Sequence, residues 1–353
     1  MKARPVFLNL SLAVFIVLLP LLVYQIWDVA EAARLRSRVE ALRAAGVPVV
    51  VTLPVIGGAE LAARYYQAAA ALTSNDSYAA LSIEERNRTL KALRGASDWT
   101  PDAIAVARLR IEQNRDALDF VDRAAVLPFG GFLPGTSYQN RIRALMQLAE
   151  VCEFRAVVLA ADGKGDAAAA SLYSEARLAR ALDAVSMPSG TSVVPSFTSM
   201  TAILARAKPS PASLIPLSGG LEALDRDDRL KETFIRFRAS MLNEVMMSRP
   251  PSLQPGAFTA HLTVRSLDAL ARIIAAADQP WTTRISAINA VGIWPQPDVF
   301  ALGSRGPKML VDYTHAIADQ MKRIRCARLN LDATLNLVDP LTGRGLAAAA
   351  CHL

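Results

Sequence analysis

The sequence predicts an all-α protein, an N-terminal transmembrane helix followed by a domain built from helical hairpins. Three observations carry that expectation. Aromatic residues make up only 6% of the chain while alanine is abundant, which favours closely packed helices over sheets of β-branched and aromatic residues. Hydrophobic residues reach 52%, and part of that excess is gathered at the N-terminus. Beyond it, apolar positions recur three and four apart. At 353 residues the chain is long enough for one large or two ordinary domains, so core size sets no limit.

The first element is the run PVFLNLSLAVFIVLLPLLVYQIW, residues 5–27, which contains no charged residue. As a helix it spans about 34 Å, enough for the hydrocarbon core of a bilayer. Residues 1–4 form a short basic tip with Lys2 and Arg4. Tyr24 and Trp27 fall where an aromatic interface belt lies, followed by Arg34, Arg36 and Arg38 at the headgroup level. These five are the expected membrane-interface residues. Pro20 kinks such a helix without forbidding it. The competing reading is a cleaved signal peptide with Ala30-Glu31-Ala32 as the cleavage site, which would release a secreted soluble protein. That site lies far past the apolar core, and an uncleaved anchor is the expectation.

Positive charges flank both sides of the anchor. Counting alone leaves the body in the cytoplasm, but Asp28 and Glu31 lie nearer the boundary than the arginines, and long domains translocate largely regardless of charge. The expected arrangement is a cytoplasmic N-terminus and an exported, periplasmic body.

Residues 28–45 continue as a juxtamembrane helix on which Ala32, Leu35, Val39 and Leu42 form an a/d stripe. Two heptads are too few for a coiled coil, so the stripe is expected to pack on its own domain or cross the headgroup layer, with a dimer stalk as the alternative. Gly46 and Pro48 end that helix, and VPVVVTLPVIGG reads as a linker or short extended piece.

Residues 46–353 read as one helical domain, with a subdivision near Pro250 as the alternative. Thr100-Pro101-Asp102 is a helix start, with a capping hydroxyl, a proline at the first position and an acid in the first turn. From there Ile104, Ala107, Ile111, Leu118, Val121 and Ala125 keep helical spacing to Leu127-Pro128. A second helix carries Ile142, Leu145, Ala149, Cys152, Ala156 and Leu159 on one stripe, and after the turn DGKGD an antiparallel partner returns with Leu172, Ala176, Ala179 and Leu182. Later helices are expected around Leu230 to Val245, Val264 to Ile274 and Tyr313 to Leu331. Breaks are expected at 187–195, 208–220, 250–256 and 292–307.

The net charge of +7 suits anionic lipid headgroups or another acidic polymer. The basic residues form no aromatic-interleaved patch and no nucleic-acid motif appears, so a lipid bilayer and a protein are the expected partners, and nucleic acid and metal are not. Three cysteines, Cys152, Cys326 and Cys351, have neither metal-ligand nor framework spacing, and are read as building no disulfide framework.

Catalytic signatures are missing: there is no nucleophile elbow, zinc-binding helix, phosphate-binding loop or dinucleotide fingerprint. Neither a catalytic residue nor a cofactor is expected. His315 lies about 200° around its helix from Tyr313 and Ile317 and is read as solvated. His352 stands beside the last residue, and His261 is read as capping or packing at a helix start. The charged cluster Leu224 to Glu232 reads as a solvated helix start.

Two resemblances follow. Leu159 to Leu182, LAADGKGDAAAASLYSEARLARAL, resembles the turn and second helix of a tetratricopeptide repeat, although no 34-residue period recurs, which leaves an irregular α-bundle as the safer form. The anchor, RAAGVPV (43–49), ARYYQAAAAL (63–72), the long helices and DPLTGRGL (339–346) together resemble uncharacterised membrane-anchored helical proteins of bacteria. That resemblance implies a bacterial inner membrane and an architecture, without an activity. The expected function is a single-pass membrane-anchored helical scaffold or binding protein, not an enzyme. The alternative is a membrane-tethered enzyme in which His261 and the acidic cluster converge.

Overall fold

The computed structural model describes residues 4–49, 60–74, 83–94, 99–128, 138–185, 199–226, 228–247, 256–290, 321, 323–332 and 335. Their regular structure is entirely helical, as expected. In chain order the helices are α1 (Arg4–Ala44), α2 (Glu60–Leu72), α3 (Ile83–Arg94), α4 (Pro101–Gln113), α5 (Arg115–Ala125), α6 (Tyr138–Ala161), α7 (Gly165–Val185), α8 (Met200–Ala207), α9 (Pro211–Glu222), α10 (Arg229–Met247), α11 (Ala257–Ala277) and α12 (Trp281–Ala290). Residues 323–332 are helical as well. The chain divides into two compact units, one of residues 1–52 with 231–307, the other of 53–230 with 308–353.

In the first unit α1 runs unbroken through Pro20 and across the 27/28 boundary expected between anchor and juxtamembrane helix. Among the described residues no helix is long and apolar enough to cross a membrane, so the expected transmembrane helix is not shown by the fold. The side chains of 5–17 lie outside the described residues. The stripe Ala32, Leu35, Val39 is buried, and Leu35 and Val39 form a core with Leu242 of α10 and Ala260 and Leu267 of α11, with Leu42 packed beside it. The first helix therefore packs on its own unit. Each fully buried Leu or Val contributes about 1.5–3 kcal/mol. Gly46, at φ +67°, closes α1: its N–H bonds Arg43 and that of Val47 bonds Leu42, the paired reversal that only a left-handed residue allows without strain.

The second unit is organised by the hairpin of α6 and α7. Gly163, at φ +73°, repeats the same closure, with Gly163 N–H on Ala160 and Lys164 N–H on Leu159. The expected stripe is buried at Leu145, Ala149, Cys152 and Ala156, and so are Leu148, Val151, Phe154 and Val157 on the other sides of α6. Buried side chains thus stand on every side of α6, Glu153 among them, and the helix lies at the centre of its unit. Across from it Leu172, Ala176, Ala179 and Leu182 are equally buried. Alanine at such positions lets backbones approach, and α2, α4, α8 and α9 pack around the pair.

Two expectations about local structure are corrected. The run from Pro101 to Leu127 is two helices, interrupted at Asn114 (φ −114°, ψ 18°). The Asn114 side chain, buried, accepts from Ser74 N–H at 2.8 Å and donates to Ser74 O at 3.2 Å and Arg110 O at 2.9 Å. Its Nδ2 takes Arg110 O, the acceptor its own N–H would use in a continuous helix, and that N–H turns to Ile111 O instead. The stretch 208–220, read as a break, contains α9. Pro211 occupies its first turn, where a missing N–H costs nothing, and Leu214, Leu217 and Leu221 bury its apolar side. Thr100 caps α4 as expected, accepting from Ala103 N–H at 3.2 Å. The extended piece at 50–58 and the breaks at 187–195, 250–255 and 292–307 lie outside the described residues.

Candidate functional site

In the first unit, Tyr24, Trp27, Asp28 and Glu31 recur at helical spacing, which puts them on one side of α1 against the start of α11. Tyr24 and Trp27 meet edge to face, with ring centroids 6.0 Å apart, and Trp27 tilts against His261 at 6.2 Å. Asp28 Oδ1 accepts a hydrogen bond from the N–H of Ala257, the first residue of α11. A carboxylate at a helix N-terminus both satisfies an orphan donor and opposes the helix dipole. Glu31 is buried, its Oε1 accepting from Arg34 at 2.8 Å and lying 3.5 Å from His261 Nδ1. Its Oε2 is buried without a hydrogen-bond partner among the described residues.

Of the five expected interface residues, Tyr24 is exposed and Trp27 half-buried. Arg34 is paired with Glu31, Arg38 with Asp268 of α11, and Arg36 donates to Ala32 O at 3.4 Å. All three guanidinium groups stand on exposed residues. His261 sits at the helix start as expected, but its carboxylate neighbour is Glu31, which sequence spacing did not indicate.

The second unit holds two polar clusters. Arg155 grips Asp122 with two parallel hydrogen bonds of 2.8 and 2.7 Å and donates to Ser171 Oγ at 2.9 Å. Ser171 in turn donates to Cys152 O, and Ser174 to Asp122. Burial works against the guanidinium charge, but the hydrogen bond and charge of Asp122 prevail and raise its pKa. Burial also pushes the Cys152 thiol up to about 12, and raises the neighbouring Tyr66 hydroxyl. A thiol held neutral in this way is no nucleophile, in keeping with its reading as a small core residue.

The second cluster corrects the reading of 224–232 as a solvated helix start. Asp225 is buried, 2.9 Å from Arg325 and 3.3 Å from Arg328, while Arg328 also approaches Asp332 at 3.7 Å. Asp332 accepts from Ser218 at 2.5 Å. The cluster joins the turn after α9 to helical residues 323–332. Among the described residues of this stretch only Asp228, paired with Arg226 at 2.8 Å, keeps the exposed character expected.

The expectation for the cysteines also changes. Cys152 is free and buried, whereas Cys326 is disulfide-bonded. Among the described residues no group of three or more His, Cys, Asp or Glu side chains is arranged to hold a metal ion. His315, His352 and Cys351 lie outside the described residues.

No family model, curated protein or solved structure matches this chain.

Proposed function

We propose that the chain is a single-pass membrane-anchored helical scaffold or binding protein, with residues 5–27 of α1 in a bacterial inner membrane and the body on the periplasmic side. One observation carries this reading. Eight of the thirteen exposed large hydrophobic side chains among the described residues are Leu18, Leu19, Leu21, Leu22, Val23, Tyr24, Ile26 and Val29. At about 100° per residue they cover the whole circumference of α1. A helix packed on a protein core exposes one polar face; an apolar surface on every side asks for an apolar solvent.

The burial pattern changes sharply at Glu31, from which Ala32, Leu35 and Val39 turn into the core of the first unit. Tyr24 and Trp27 stand just before that change, at the depth an aromatic belt takes. Pro20 inside the helix is compatible with this placement, since membrane helices tolerate proline where local adjustments re-satisfy the freed carbonyl. Release by cleavage after Ala32 is disfavoured by the same geometry. The Ala30-Glu31-Ala32 sequence lies in mid-helix with Glu31 and Ala32 buried, and cutting there would remove the Asp28 cap of α11.

The polar groups described in the body are engaged in cross-helix clamps, which suits a framework for binding more than a reactive centre. Extraction of membranes at high pH tests the anchor. The full chain is expected to stay in the pellet, while a chain beginning at Asp28 is expected in the supernatant. Release of the full chain, or a mature N-terminus at Ala33, would overturn the reading. A reporter active only outside the cytoplasm, fused after Leu353, tests the orientation and is expected to be active.

A further inference from the structure

We propose that Tyr24, Trp27, Glu31 and His261 form a site for a primary ammonium group, and that its occupant is the ethanolamine headgroup of a phospholipid in the surrounding bilayer. This depends on the anchoring of α1 proposed above, which puts the four residues at headgroup depth.

Glu31 supplies the acceptor. Both cationic groups within its reach address one oxygen: Arg34 donates to Oε1 at 2.8 Å, and His261 Nδ1 stands 3.5 Å from the same atom. Oε2 is buried and has no hydrogen-bond partner among the described residues. A buried carboxylate oxygen left without a donor is costly, so this one calls for a donor from outside the chain. Asp28, one turn earlier, does not compete for it, because its carboxylate is engaged at the N–H of Ala257.

The rings supply the rest of the site. Tyr24 and Trp27 meet edge to face, and Trp27 lies 6.2 Å from His261. Aromatic faces beside a carboxylate attract a cation and exclude an anion. The approach runs past the rings: Tyr24 is exposed, and His261 keeps 34% of its side chain in solvent against 4% for Glu31. A turn of that imidazole opens the path to Oε2. A choline headgroup gains only the attraction of the rings, since its nitrogen carries no hydrogen. An ethanolamine headgroup gains that attraction and donates an N–H to Glu31 as well, while a serine headgroup brings a carboxylate that Asp28 and Glu31 repel.

Native mass spectrometry of the delipidated full chain in detergent, titrated with phosphatidylethanolamine or phosphatidylcholine, tests the site. The ethanolamine lipid is expected to bind about tenfold more tightly, the worth of one hydrogen bond to a charged group. Glu31→Gln, nearly identical in shape, is expected to bind both lipids alike. Trp27→Leu is expected to weaken both while keeping their ratio, and slow amide exchange at Ala257 in each variant shows that α1 still packs on α11. Equal binding by the wild-type chain, or a preference that survives in Glu31→Gln, would overturn the site. Soluble phosphoethanolamine binding as tightly as the lipid would overturn the lipid as occupant. Loss of the preference in a chain that stays with membranes at high pH would overturn the site and leave the anchor standing; a preference kept by a chain released at high pH would overturn the anchor alone.

Discussion

Asp28 of α1 caps α11 through the N–H of Ala257, a contact between residues 229 positions apart in sequence. The first helix thus closes the N-terminus of a helix from the far half of the chain. Asp28→Ala is expected to cost about 0.5–2 kcal/mol, the usual range for losing a cap, and Asp28→Asn much less. Amide hydrogen exchange at Ala257 in detergent-solubilised protein checks it: the alanine variant is expected to exchange faster there, with little change in the centre of α7.

Asp225 anchors a cluster that no single helix could build. Removing one partner of a buried charge group costs about 3–5 kcal/mol. Arg325 and Arg328 keep 22% and 26% of their side-chain surface in contact with solvent, which puts Asp225→Ala at the lower end. Denaturant unfolding of the variant measures this, and Asp225→Asn, which keeps the volume and some hydrogen bonding, is expected to lose less.

Two glycines of the DGKGD turn make separable demands. A Cβ on Gly163 meets open space but must adopt φ +73°, so Gly163→Ala is expected to cost about 1–2 kcal/mol. A Cβ on Gly165 would lie 2.4 Å from the backbone oxygen of Ala207, where nothing flexible can yield. Gly165→Ala is expected to lower the melting temperature further than Gly163→Ala, and Gly163→Asn to fall closest to wild type.

Burial raises the Cys152 thiol to about 12, so the folded state holds that proton more tightly than an unfolded chain with an ordinary value of about 8.5. The resulting stability is fully present below the unfolded value and is lost as pH rises from there through about 12. Cys152→Ser is expected to flatten that alkaline loss. At pH 8 the folded protein is expected to resist iodoacetamide at Cys152, as read by mass spectrometry, and to react once denatured.

What the sequence disclosed and what it hid divide along the range of the interactions. The ends of α1 and α6 were legible because Gly46 and Gly163 act on their own helix, and the cap at Thr100 for the same reason. The break at Asn114 was not, since its cause is Ser74, 40 positions away, while the apolar spacing runs on undisturbed. Pro211 and Gly219 made α9 look like a loop, although a proline in the first turn starts helices as readily as it ends them. In the cluster of α1 against α11, Tyr24 and Trp27 were marked by their place at the end of an uncharged run. Asp28 and Glu31 read only as charges until α11 supplied Ala257 and His261. Asp225 depends wholly on distant partners, and spacing carries no record of those.

The unbroken course of α1 from Arg4 to Ala44 has a mechanical consequence. The exposed apolar stretch and the core stripe share one helix and leave no slack between them: by helical rise, Glu31 stands only about 6 Å from Trp27. A displacement of the exposed apolar stretch Leu18 to Val29 is thus passed to the core around Leu35 and Val39 with no hinge between them.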